Sequence, residues 1–145
     1  REAIKEANEK GILFITSAGN DNENIDVNLE FPSSFNLPGV ISVGGVDALG
    51  QKVDSSNFGS RLNFFAPGLD ILTHTTGDFN LVFATGTSIA APFVTGAVAL
   101  LKSAFPLRSN NDLKNALETT VNQDQVPQVL EAYDLLSQEA KLQLR

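Results

Sequence analysis

Apolar positions along the chain fall into runs of two kinds, periodic and continuous. Over residues 1–10, Ala3, Ile4 and Ala7 share one side of an amphipathic helix, Glu6 and Lys10 stand as an i,i+4 pair, and Gly11 serves as the stop. Ile12-Leu13-Phe14-Ile15 then follows without alternation. A strand wetted on one face would alternate, so this run predicts a strand covered on both faces. Helix, glycine and buried strand in succession predict an α/β chain built on a parallel sheet.

The segment Asn20 to Asn36 is rich in Asn, Asp and Glu and reads as a surface loop. Val40–Val46 is a second buried strand. Shorter strands are predicted at Leu62–Ala66 and Asp70–Thr73, with Pro67-Gly68 as the turn between them, and at Leu81–Ala84. From Ser88 to Phe105 the residues are apolar or small on every side, which predicts a helix buried all round, with Pro92 near its first turn where a missing N–H costs least. Two amphipathic helices are expected after Pro106, near 109–120 with Ser109 or Asn110 as N-cap, and at 127–143. No repeat, low-complexity tract or linker divides the chain, so it reads as one domain or part of one.

Composition narrows the function classes. Seventeen acidic against ten basic side chains give a net charge of −7, and no stretch concentrates Lys and Arg, so a nucleic-acid partner is not expected. The longest apolar run, Ile89 to Leu101, is interrupted by Pro92, Thr95 and Gly96 and is read as too short for a bilayer, so no membrane partner is expected either. With no Cys, disulfides, thiol nucleophiles and thiolate metal sites are excluded. With no Met in the chain, Arg1 is expected to lie inside a longer precursor or a cut domain, and no signal peptide is visible.

Two short segments carry candidate chemistry. In Gly86-Thr87-Ser88-Ile89-Ala90-Ala91-Pro92, Ser88 stands at the start of a buried helix, where backbone N–H groups and the positive end of the helix dipole converge. A serine there acts as a nucleophile if a base is near, and otherwise simply caps the helix. In Ser17-Ala18-Gly19-Asn20, a side-chain amide follows a buried strand. In open α/β sheets, sites lie at the carboxyl ends of strands. Asn20 is therefore either a donor to an oxyanion or the end of a Gly-Asn turn.

Taken together, the two segments resemble the subtilisin-like serine proteases. The nucleophile motif of that family, Gly-Thr-Ser-x-Ala-x-Pro, appears here as Gly86, Thr87, Ser88, Ala90 and Pro92, with Gly96 matching a glycine further along the helix. Asn20 ends the oxyanion segment. Between them, Phe31-Pro32 matches an aromatic-Pro pair, Val40–Val46 a Val-Ile-x-Val-Gly strand, and Ala66-Pro67-Gly68 the Ala-Pro-Gly turn. The tail Val129 to Leu136 is similar to the last helix of the family, and the resemblance runs from Arg1 to about Ser137.

The resemblance implies the C-terminal part of a three-layer, doubly wound parallel-sheet domain over residues 1–145. It implies a serine endopeptidase acting on proteins or peptides, with Ser88 as nucleophile and Asn20 in the oxyanion hole. Ser17, Ala18 and Gly19 would form one wall of the pocket for the side chain before the scissile bond. Glu30, two before the motif proline, would lie at its floor, unless the variable loop 21–29 turns it to water. In this family the triad runs Asp, His, Ser, so the Asp and His are expected in an upstream part of the same domain. The only histidine, His74, is read as a strand residue. Asp47, Asp54, Asp70 and Asp78 do not follow the triad order. Phe93 replaces the usual His after the motif proline and is read as a repacking.

The family also implies a secreted or extracellular setting and no required cofactor. Structural calcium occurs among relatives, and the loop Asp21-Asn22-Glu23-Asn24-Ile25-Asp26 is oxygen-rich. It lacks the glycine-spaced order of an EF-hand and reads as a solvated acidic loop, so no metal ligand is named. Two other classes remain: a non-catalytic pseudoprotease that keeps the fold, and an unrelated α/β domain with accidental turns.

Overall fold

A computed structural model describes residues 1–74 and 80–120. The expected helix at 127–143, the matching tail and Asp78 lie outside the described residues.

The observed order is α1 (Glu2–Glu9), β1 (Phe14–Ser17), β2 (Val40–Val46), β3 (Phe64–Pro67), β4 (Ile71–His74), β5 (Leu81–Ala84), α2 (Thr87–Ala104) and α3 (Asn110–Thr120). Strands β1, β2 and β3 form a parallel sheet in that order, with Phe14 opposite Val40 and Val43 opposite Phe64. β4 and β5 form a separate antiparallel hairpin, Ile71 opposite Ala84 and His74 opposite Leu81. The α/β parallel-sheet architecture is as expected from sequence.

Helix α2 lies across all three parallel strands. Its Ala90, Val94, Val98 and Leu101 pack with Ile41 and Val43 of β2, Phe64 and Ala66 of β3, and Leu113 and Leu117 of α3. Period-2 geometry puts 41 and 43 on one face of β2, and every residue of that strand is buried, as a central parallel strand should be. The N-cap of α3 resolves to Ser109. Its Oγ accepts from the Asp112 N–H at 3.1 Å while the Asp112 carboxylate accepts from the Ser109 N–H at 3.2 Å, a reciprocal capping box.

Three sequence expectations need correction. β1 begins at Phe14 rather than Ile12 and is an edge strand among the described residues, and Ile12 and Phe14 are partly exposed, the described elements not covering both faces at this point. α2 is not buried all round: Phe93 and Leu100 are 47% and 55% exposed, because among the described residues a single layer covers the helix. The third concerns membrane length. At eighteen residues and mean hydropathy 1.3, α2 is long and apolar enough by length and composition to cross a bilayer. Its seat on the sheet makes it a core helix here.

Candidate functional site

The carboxyl end of β1 and the amino end of α2 meet through three hydrogen bonds. Thr87, buried at the first turn of α2, uses its Oγ1 twice: it accepts from the Gly19 N–H at 3.2 Å and donates to the Gly19 carbonyl at 3.3 Å. The Thr87 N–H donates to Asn20 Oδ1 at 2.9 Å, across sixty-seven positions of sequence. One end of the Asn20 amide is thereby spent. A side-chain amide has one acceptor end and one donor end, so fixing Oδ1 on an N–H turns Nδ2 outward as a donor. Among the described residues nothing accepts from Nδ2.

Gly86 precedes the helix with φ +152, a conformation L side chains rarely adopt, and its N–H is anchored on the Gly68 carbonyl at 2.8 Å. A Cβ there would stand 3.5 Å from both Asn20 Nδ2 and Ser88 Oγ. The two groups singled out in the sequence thus flank one small, unfilled space. Ser88 is the second residue of α2 and is exposed. Its N–H is one of the donors that a helix start leaves without an internal partner, and no described residue accepts from it. The Ser88 hydroxyl and the donor end of the Asn20 amide therefore both lie beside Gly86 at the start of α2. This geometry suits attack on a carbonyl and binding of the resulting oxyanion.

The segment 17–19 forms the wall beside this opening, with Ala18 fully buried and Ser17 and Gly19 half-buried. Gly19 has φ +101, and a Cβ there would strike the Asn57 amide nitrogen and come within 3.3 Å of Glu30 Cγ. Glu30 therefore runs alongside the wall, although it remains exposed. Its backbone is tied down on both sides. The Glu30 N–H donates to Ser34 Oγ at 3.0 Å, and its carbonyl accepts from the Ser34 N–H at 2.7 Å and from Ser33 Oγ at 2.9 Å.

Sequence reasoning missed the residue that organises this wall. Asn57 is 2% exposed, and its Oδ1 accepts from the N–H groups of Asp21 and Glu23 at 3.0 and 2.9 Å. Its Nδ2 donates to the Ala18 carbonyl at 3.0 Å and its own N–H to the Gly19 carbonyl at 3.0 Å. One side chain spans both ends of the Asn20 segment. In sequence it sits inside Ser55-Ser56-Asn57-Phe58-Gly59, a polar stretch that reads as an ordinary turn, and no spacing signal distinguishes it. The clasping role of Thr87 was equally invisible, since the motif gives its identity but not its partner.

The other candidates fall away from the opening. His74 ends β4 opposite Leu81, three pairs along the hairpin from Ala84, or about 10 Å at strand rise. Phe93 lies on the exposed side of α2. In the acidic loop, the Asp26 carboxylate accepts from the Ser60 and Arg61 N–H groups at 2.6 and 3.1 Å and faces the Arg61 guanidinium at 3.7 Å. The hydrogen bond from Ser60 above all holds this carboxyl below its usual range. Asn24 Oδ1 accepts from the Asp26 N–H at 2.9 Å. These oxygens are committed to protein donors, and among the described residues no three His or carboxylate side chains converge as a metal ion requires.

Comparison with known proteins bears on the same segments. The subtilase family model matches residues 1–134. A thermostable alkaline protease of Halalkalibacterium halodurans is 34% identical over 118 residues, covering 81% of this chain and 31% of that protein. The major intracellular serine protease of Bacillus subtilis is 38% identical over 105 residues, covering 71% of this chain and 32% of the relative. That name lies inside the cell, so kinship alone does not carry the expected extracellular setting. Among solved structures, a protease from Pseudoalteromonas arctica superposes with a TM-score of 0.82 at 26% identity, over 94% of this chain and 45% of the other. The chain spans about a third of the length of these two sequence relatives. With the family model running through both halves of the opening and the fold superposing over nearly the whole chain, the chain belongs to the subtilase family.

Proposed function

We propose that this chain supplies the nucleophile and oxyanion half of a serine endopeptidase site. In the complete domain, Ser88 Oγ attacks the scissile carbonyl carbon as a histidine takes its proton. That histidine and the Asp that orients it belong to the part of the domain upstream of this chain, following the family's triad order. The carbonyl oxygen, now an anion, accepts from Asn20 Nδ2 and the Ser88 N–H. Collapse of the intermediate breaks the C–N bond, the histidine returns the proton to the leaving amine, and water then releases the acyl group from Ser88 by the same steps. This chemistry requires no cofactor. The observation that carries the reading is the Thr87 N–H on Asn20 Oδ1, which leaves the donor end of the amide beside Ser88.

The test is peptide hydrolysis by the intact protein. Ser88→Ala is expected to abolish turnover while leaving the melting temperature unchanged, because the exposed hydroxyl makes no packing contact the fold depends on. Retained hydrolysis in this variant would refute the assignment.

The same reading extends to substrate choice. A carboxylate running along the Gly19 wall attracts Lys or Arg in the residue before the scissile bond, and Glu30 is that carboxylate. A peptide library cleaved by wild type and by Glu30→Gln should show an Arg preference that the substitution removes. A wild-type preference for Phe or Leu would rule Glu30 out as the selecting group.

A further inference from the structure

Behind the wall stands a cation that the mechanism does not use. The Lys52 ammonium lies 2.9 Å from Asn22 Oδ1, 3.0 Å from the Val53 carbonyl, 3.0 Å from the Ser56 carbonyl and 3.2 Å from the Asp54 carbonyl. The Phe58 ring covers another side, its centroid 5.5 Å from Nζ. An ammonium has three N–H donors, and here four neutral oxygens share them. Among the described residues no carboxylate takes part. Three backbone carbonyls and one side-chain amide oxygen thus converge on a half-buried ammonium. The spacing is too long for calcium, which sits about 2.3–2.6 Å from oxygen.

The oxygens come from the two segments that hold the candidate site. Asn22, in the left-handed region at φ +55, is two residues after Asn20, and its N–H donates to the Ser55 carbonyl at 2.8 Å. Val53, Asp54 and Ser56 form the turn that presents Asn57 to the backbone of 18–23. Three carbonyls pointed at one spot repel one another, and a positive charge at that spot holds them together.

We propose that Lys52 is a built-in monovalent cation, doing for the 52–57 turn what a bound potassium or ammonium ion would do. Through Asn57 it is a positioning residue for the Asn20 amide. The catalytic consequence rests on the peptidase reading above; the cation role does not.

The experiment uses the intact protein and Lys52→Ala, which vacates the cage, with Lys52→Met, which fills it with an apolar chain. Melting temperatures are measured in potassium chloride, ammonium chloride and choline chloride at one ionic strength. Lys52→Ala is expected to melt lower than wild type in choline and to recover in potassium or ammonium. Wild type should melt alike in all three salts, and Lys52→Met should stay low throughout. If Lys52→Ala fails to fold in choline, it is expected to fold in potassium, and failure in both overturns the proposal. Equal loss in every salt, or a Lys52→Met that melts like wild type, overturns it as well. Under turnover, kcat of Lys52→Ala should fall by up to about 10²-fold, the scale of a small misplacement of a catalytic group. KM should be unchanged and kcat should recover with the same cations. Should the intact protein cleave no peptide, the melting series still decides the cation role by itself.

Discussion

The two ends of the parallel sheet carry different kinds of polar chemistry. At the amino ends of β2 and β3 lies a cavity of about 380 Å³ lined by Asp26, Phe35, Arg61, Asn63 and Lys114, among others. It is roomy and charged, and its charges are matched. Asp26 holds the Ser60 and Arg61 N–H groups, and Lys114 donates to the Val40 carbonyl at 3.1 Å with Glu118 at 3.9 Å. Asn63 accepts from the Ser42 N–H at 2.9 Å and donates to Glu118 at 3.2 Å. At the carboxyl end of β1, by contrast, the Asn20 Nδ2 and the Ser88 N–H have no acceptor among the described residues. Volume and charge favour the first end, unspent donors the second. A site that must stabilise charge arising during a reaction needs donors held rigidly and not yet used, and that requirement supports the proposal that the Asn20 and Ser88 end is the reacting one.

That contrast can be broken most forcefully at Asn57. Asn57→Leu leaves the Asp21 and Glu23 N–H groups and the Ala18 carbonyl without partners. The expected loss is at least about 1–3 kcal/mol of stability, the cost of the one fully buried group left unsatisfied, the Ala18 carbonyl, together with a fall in kcat. Chemical denaturation and peptide hydrolysis of the intact protein measure both. A variant as stable and active as wild type would show that the wall is held by something else.

A smaller effect is expected at the opposite end. Asp26 is held ionised by the Ser60 N–H, so its folded-state pKa lies below the unfolded one. Its contribution to stability is complete above the unfolded value, near 3.8, and drains away as the pH falls through the lower folded value. Asp26→Asn should therefore flatten the acid limb of the stability profile and leave kcat at neutral pH unchanged. A loss of turnover in this variant would join the two ends of the sheet in one function and sharpen the contrast differently.

Much of this was legible from residue order alone. The run Val40–Val46, apolar or small throughout, was read as a buried strand, and every residue of β2 is buried. Ser109 as a cap was legible because its partner Asp112 is three residues away. The same rule misled for β1 and α2, whose apolar sides are not all covered by the described residues, since a pattern reports which surface needs covering and not what covers it. At the candidate site, Ser88 and Asn20 were singled out by the resemblance of two short motifs to the subtilases, and their roles remain a proposal. Asn57, Thr87 and Lys52 were not, because most of their hydrogen bonds run to backbone atoms of distant segments, and a backbone partner leaves no trace in the identity of its residue.

The central claim is that the Asn20 amide is a donor reserved for an oxyanion, and its most direct test is the kinetics of Asn20→Ala in the intact protein. The account predicts a fall in kcat of about 10²–10³-fold, the size known for the oxyanion asparagine of subtilisin itself and borrowed from it, with KM nearly unchanged because the bond forms mainly in the transition state. A rise in KM with kcat preserved would contradict it and make Asn20 a substrate-binding or turn-forming residue.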